Sequence, residues 1–273
     1  SLISAGAWAA YDGDYLRKAA EDFMAAGGAY VEVAETTAQR GVFAIAGPKT
    51  RDVLGTLIRD AEPETALSNK RFPWLSGRAI ELEMCPVYAI RVAYTGELGW
   101  ELHHPIEMQN YLWDRLMAAG EAHGLKPVGA RAQNWLRQEK SYRAFGNELG
   151  RDATPLEAGL DRFIDMDKEF HGKDAMIETG VRAKCVTVLI DGPDDADPWG
   201  REGLFADGRK VGRLTSGGWS VGFGKQIGMG YVAPEHAAVG TRLKLRMFNE
   251  FHDAEVVQDS PYDPTNARIR ADG

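Results

Sequence analysis

The nine residues YTGELGWEL, Tyr94 to Leu102, follow one strand-like run and turn through two glycines into another, carrying a phenol at Tyr94 and a carboxylate at Glu101. Glu101 is expected on the second run and Tyr94 at the end of the first, so the pair can close on a flat ligand from two directions. An ionised carboxylate only accepts hydrogen bonds, and its two oxygens match a planar pair of N–H donors such as an amino-pyrimidinone edge. A neighbouring phenol adds a stacking face with a polar tip. From spacing alone, a tyrosine packed on a hairpin and a glutamate facing solvent explain the same residues more simply.

Other residues with chemical potential are less well arranged. His103 and His104 are adjacent, so on a strand they point to opposite faces and do not converge on one metal. No metal site is expected. Cys85 and Cys185 form no CxxC, so neither a disulfide framework nor a thiolate zinc site is indicated. VGFGKQIGMG lacks the GxGxxG spacing and sits among strands, and no GxSxG is present. Within ARAQNWLRQEKSYRAFG, Arg131, Arg137, Lys140 and Arg143 form a basic run able to meet a carboxylate-bearing ligand. Helical spacing favours a solvated face paired with Glu139, with Trp135 and Leu136 in the core. The acidic stretch DGPDDADPWGRE reads as an exposed turn.

The elements that must position these residues follow from periodicity. An opening strand is expected, then a helix capped by Asp12 and running to about Met24, where Gly27 and Gly28 end it. AYVEV reads as a strand. VFAIAGPK is a strand and turn leading into a helix whose stripe is Val53, Leu54 and Leu57. RAIELEM and VYAIRV are β segments broken at Cys85 and Pro86, and the sheet is expected to have mixed direction. Met108, Leu112 and Leu116 repeat every four residues in a helix from Pro105 to Ala119. A second helix over 130–140 precedes a polar hinge, GNELGRDATPLEAG.

Beyond Lys184 the pattern turns to short β segments: CVTVLIDG, then LFADGRKVGRL with Asp207 and Gly208 suited to a type I′ turn, then IGMGYV and GTRLKLRMF. Their frequent glycines suit a small twisted barrel. The class is therefore α+β: mixed-sheet subdomains over residues 1–175, then a C-terminal β-barrel over residues 176–273.

The chain has 273 residues, 44% of them apolar and 26% charged, which suits a soluble globular fold. A net charge of −8 without a basic cluster argues against nucleic acid as a partner. No apolar run approaches the roughly 20 residues that cross a bilayer. SLISAGAWAAYDGDYL has neither an initiator Met nor a signal-peptide pattern, so residue 1 is not expected to be a natural beginning. The expected location is the cytoplasm or, after processing, a mitochondrial matrix.

Eight segments carry a family likeness: IAGPKTRDVL, VAYTGELGWEL, LRQEKSYRAFGNEL, DATPLEAGL, FHGKDAM, VGRLTSGGWS, IGMGYV and SPYDPTNARIRA. In this order they cover nearly the whole chain, and they resemble the glycine-cleavage T-protein (aminomethyltransferase) family. The likeness is stronger to its version fused to dimethylglycine and sarcosine dehydrogenases. The resemblance implies a folate-binding core of two α+β subdomains, a C-terminal barrel and tetrahydrofolate as the cofactor. It matches Tyr94 to the family's folate-contacting tyrosine and Glu101 to its pterin-binding glutamate. Ser4 falls where T-proteins carry an asparagine. The family arginine corresponds to Arg131 by local likeness, or to Gln133 counting back from Glu139.

The implied reaction moves an aminomethyl group, or the iminium or formaldehyde from demethylating a methylated amine, onto tetrahydrofolate to give 5,10-methylenetetrahydrofolate. The implied partner is a fused or associated FAD-dependent dehydrogenase or other demethylase. Alternatives are a stand-alone glycine-cleavage aminomethyltransferase and a non-catalytic folate-binding domain. The aspartate that acts near folate N10 in the family lies upstream of SLISAGAW, so the catalytic residue is left unassigned.

Overall fold

The computed structural model describes residues 2–272. Residues 2–5 are irregular rather than a strand, and a 3₁₀ turn at Gly6–Trp8 leads into helix α1, Ala9–Ala25. Asp12 does not cap this helix but lies in its first turn, where a carboxylate still meets the positive end of the helix dipole. AYVEV forms no strand: no strand among the described residues pairs with it, and Tyr30 is 81% exposed. A strand-like composition without a partner leaves the backbone unpaired in water.

The first sheet holds β1 (Arg40–Ala46), β2 (Ile58–Arg59), β3 (Gly77–Leu82), β4 (Cys85–Ile90) and β5 (Gly99–Pro105). Helices α2 (Thr50–Gly55) and α3 (Pro63–Ala66) lie between β1 and β3, and α4 (Gln109–Gly120) follows β5. The strand order is β1-β5-β4-β3-β2, and every pairing is antiparallel. The mixed direction expected from the strand–turn–helix unit is thus corrected. The crossover through α2 carries the chain to the far edge, and a meander of β3, β4 and β5 fills the space between. The β3–β4 hairpin also turns at Glu83 and Met84, two residues before the expected break, and Pro86 is absorbed into β4.

Alternation gives this sheet two unlike faces. On β5, Trp100, Leu102 and His104 are buried, as are Val87 and Ala89 on β4. Trp100, Leu102, Val87 and Ala89 join Val53, Leu54, Leu112 and Leu116 of α2 and α4 in one core. The opposite face presents Val42 and Ala44 of β1, Glu101 and His103 of β5, and Tyr88 and Ile90 of β4; Val42 and Tyr88 are about half exposed.

Helix α5 (Ala130–Glu139) and α6 (Lys173–Thr179) precede a closed six-stranded barrel. Its strands are β6 (Lys184–Asp191), β7 (Gly203–Ala206), β8 (Arg209–Ser220), β9 (Lys225–Val232), β10 (Arg242–Met247) and β11 (Glu250–Val257). Asp207 and Gly208 both have positive φ, as the expected type I′ turn requires. Val188, Ile190, Leu214, Leu245 and Val256 fill the interior. The α+β class with a C-terminal barrel therefore stands.

After β11 the chain returns to the sheet. Arg91 donates to the carbonyl oxygens of Ile269 (3.2 Å) and Phe72 (2.8 Å), and Asn69 Nδ2 donates to Arg270 O at 2.8 Å. With Ile269 buried, this segment straps the barrel to the first half of the chain.

Candidate functional site

The β4–β5 connection is set by two glycines. Gly96 has φ +81°, and a Cβ there would stand 2.5 Å from Lys140 Cγ, so only glycine lets the loop close onto the end of α5. A Cβ at Gly99 would meet Ile45 O at 2.7 Å and part β5 from β1. Between them, Glu97 is latched from outside by Tyr262 Oη (2.9 Å) and Arg268 Nη1 (2.8 Å) of the C-terminal strap.

This loop presents Tyr94. Its hydroxyl donates to Arg143 O at 3.2 Å, and its ring stacks on Tyr142, with centroids 5.9 Å apart and planes 20° apart. Burial pushes both phenols above their ordinary pKa, so both remain neutral donors. Tyr94 is still 39% exposed, which leaves ring area free. Tyr142 was not singled out from the sequence, because nothing in EKSY shows that its backbone turns through Ser141, at φ +53°, towards the loop.

Glu101 stands on the open face of β5, between Ala44 and Ile90 of the adjacent strands. Its side chain is 40% exposed, and Oε2 pairs with His103 Nε2 at 3.1 Å. Among the described residues it makes no other side-chain hydrogen bond. The carboxylate is thus a half-open, mostly unused acceptor with apolar flanks, suited to a planar pair of N–H donors. The His103 contact was accessible to period-two spacing, since residues 101 and 103 of a strand share a face.

The other two predicted residues make no hydrogen bond to this pair among the described residues. Ser4 lines a cavity of about 500 Å³ with Trp8, Tyr11, Phe145 and Arg151. Arg131 turns to the barrel, pairing with Asp197 at 3.1 Å and stacking between Trp135 and Trp199. His104 points into the core and stacks on Phe43, opposite to His103, as alternation requires. No group of three or more potential metal ligands is found among the described residues, and no described helix is long and apolar enough to cross a membrane.

The basic run is not the solvated face that helical spacing favoured. Arg137 and Lys140 are buried, and Glu139 pairs with neither. Arg137 bonds Glu148 Oε2 at 2.8 Å and Ser216 Oγ at 2.6 Å. Glu139 accepts from Ser220 Oγ at 2.5 Å and from the Gly222 amide at 2.9 Å. Lys140 Nζ reaches the carbonyls of Tyr262 (3.0 Å) and Asp263 (2.7 Å). The polar end of α5 is therefore the seam with the barrel and the strap.

The expected hinge is likewise pinned. Thr154 and Glu157 of TPLEAGL cap one another reciprocally, Glu157 Oε2 accepting from the Thr154 amide at 2.8 Å and Thr154 Oγ1 from the Glu157 amide at 3.2 Å. Hydrogen bonds from Arg182 hold the Glu157 carboxyl down at about 2.

Comparisons with known proteins match these two halves. A profile of the GCVT N-terminal domain covers residues 1–168, and one of the glycine cleavage T-protein C-terminal barrel domain covers residues 184–263. Mitochondrial dimethylglycine dehydrogenase of Rattus norvegicus is 36% identical over 260 residues, 93% of this chain and 30% of that protein. An aminomethyltransferase of Caldanaerobacter subterraneus subsp. tengcongensis is 33% identical over 236 residues, 85% of this chain and 61% of that protein. The chain thus spans about a third of the first curated relative and three fifths of the second. The crystal structure of glycine cleavage system aminomethyltransferase T from Bartonella henselae has the same fold, with a TM-score of 0.70 at 24% identity, over 82% of this chain and 60% of that one.

Proposed function

Because the chain belongs to the glycine cleavage T-protein family, we propose that it binds tetrahydrofolate at Glu101 and Tyr94 and receives a one-carbon unit there. The observation that carries this reading is the state of Glu101: half exposed on an open sheet face, with one hydrogen-bonding partner among the described residues. A carboxylate so placed accepts from the amino-pyrimidinone edge of a pterin with both oxygens. Tyr94 adds a ring face, and its hydroxyl is held by Arg143 O so that the ring plane is fixed.

Tetrahydrofolate supplies two nitrogens that carry the one-carbon unit as a methylene. The protein's own residues bind and orient it, and holding two reactants in register is itself a large contribution to rate. Glu101 and Tyr94 do this as binding residues. Ser4 and Arg131 belong to the proposal through the family likeness. The donor we propose is a methylated amine handled by a fused or associated FAD-dependent demethylating partner. The similarity to a dimethylglycine dehydrogenase supports this.

A calorimetric titration of tetrahydrofolate into the wild type and Glu101→Ala tests the site. Binding by the wild type and its loss in the variant are expected. Equal affinities would sink the assignment.

A further inference from the structure

We propose that His103 is a positioning residue for Glu101, fixing the carboxylate so that its free oxygen lone pairs face the ligand. This rests on the reading of Glu101 as the ligand-binding carboxylate. Three observations carry it. His103 follows Glu101 by two residues on β5, so both stand on the open face, and His103 Nε2 lies 3.1 Å from Glu101 Oε2. The histidine side chain is only 16% exposed against 40% for the glutamate, so the ring is the better-held member of the pair. The cross-strand neighbours of His103 are Val42 and Tyr88, and those of Glu101 are Ala44 and Ile90.

The chemistry follows from that isolation. Glutamate has three rotatable side-chain bonds, and an unheld carboxylate must be ordered when a ligand arrives. An imidazole N–H on one lone pair of Oε2 removes that freedom beforehand. It leaves the second lone pair of Oε2 and both of Oε1 for a planar donor pair. Among the described residues no other hydrogen bond performs this task, so the orientation of Glu101 depends on one neighbour. The arrangement parallels the outer partners that orient metal ligands, here applied to a binding carboxylate.

The test is tetrahydrofolate affinity by calorimetry in the wild type, His103→Leu, His103→Gln and Glu101→Ala, with melting temperatures measured in parallel. Leucine keeps bulk and removes the donor, and affinity should fall roughly tenfold, the worth of one hydrogen bond to a charged group. Glutamine can place an N–H where Nε2 stands, so His103→Gln should bind within about threefold of the wild type, a loss smaller than one such hydrogen bond. Wild-type affinity in a folded His103→Leu would overturn the inference while leaving the folate reading intact. If His103→Gln, melting as the wild type does, binds as weakly as His103→Leu, the hydrogen bond is not the cause and the inference also fails. Unchanged binding in Glu101→Ala would instead overturn the folate reading itself.

Discussion

Glu148, at the seam between α5 and the barrel, accepts four hydrogen bonds, from Arg137, Ala144, Thr215 and Ser216. Glu101, on the open sheet face, has one partner among the described residues. Both are glutamates of family motifs, and composition alone does not tell which of them is closed off in the fold. In the first case a buried charge is stabilised only because every lone pair is used. In the second, solvent bears the cost of exposure and the remaining lone pairs stay available for a ligand. A saturated carboxylate holds a fold together, whereas an unsaturated one at a formed surface is equipped to bind.

The largest effect should come from breaking the saturated member. Glu148→Ala leaves the Arg137 guanidinium buried without its counter-charge and should cost about 3–5 kcal/mol, measured by urea unfolding. A loss below about 1 kcal/mol would mean that water enters the seam and that the contrast is weaker than drawn.

A second saturated carboxylate, Glu157, gives a pH signature. Arg182 lowers its pKa to about 2, so its contribution is complete above the ordinary carboxylate range and disappears as pH falls from about 4.5 towards 2. Arg182→Ala should therefore melt below the wild type by a margin that is greatest near neutral pH and shrinks through that window. A margin independent of pH would remove Glu157 from the comparison.

The smallest stability effect belongs to Glu101. Glu101→Ala should change unfolding free energy by no more than about 0.5 kcal/mol, the usual range for a surface site, while abolishing ligand binding. A strongly destabilised variant would place Glu101 with Glu148 among the structural carboxylates.

Local rules made much of the scaffold legible. The stripe through Leu112 and Leu116 marked helix α4, in which both are buried, although the helix expected from Pro105 begins only at Gln109, after a 3₁₀ turn that ends at Met108. Asp207–Gly208 marked a hairpin with the turn it requires. Alternation alone put His103 and His104 on opposite faces. The candidate site was legible only as residue types, and Tyr94 and Glu101 became a pair through family likeness rather than spacing. Of their partners, His103 was within reach of period-two spacing, whereas Tyr142 emerged only with the coordinates. Tyr142 reaches Tyr94 across a long stretch of chain, and spacing along one segment says nothing about such contacts.

The sequence alone set the apolar stripes of α2 and α4 and the Asp207–Gly208 turn, because each depends on backbone geometry within a few residues. Tertiary structure decided the rest. It turned a sheet expected to be mixed into an antiparallel one by returning the chain to the far edge. It converted Arg137, Glu139 and Lys140 from an expected solvent face into a buried seam. It also left Glu101 open where Glu148 was closed. The last two share a reason: whether a polar group is saturated depends on what packs opposite it, and at the seam the opposing groups come from the barrel strands and from the C-terminal strap.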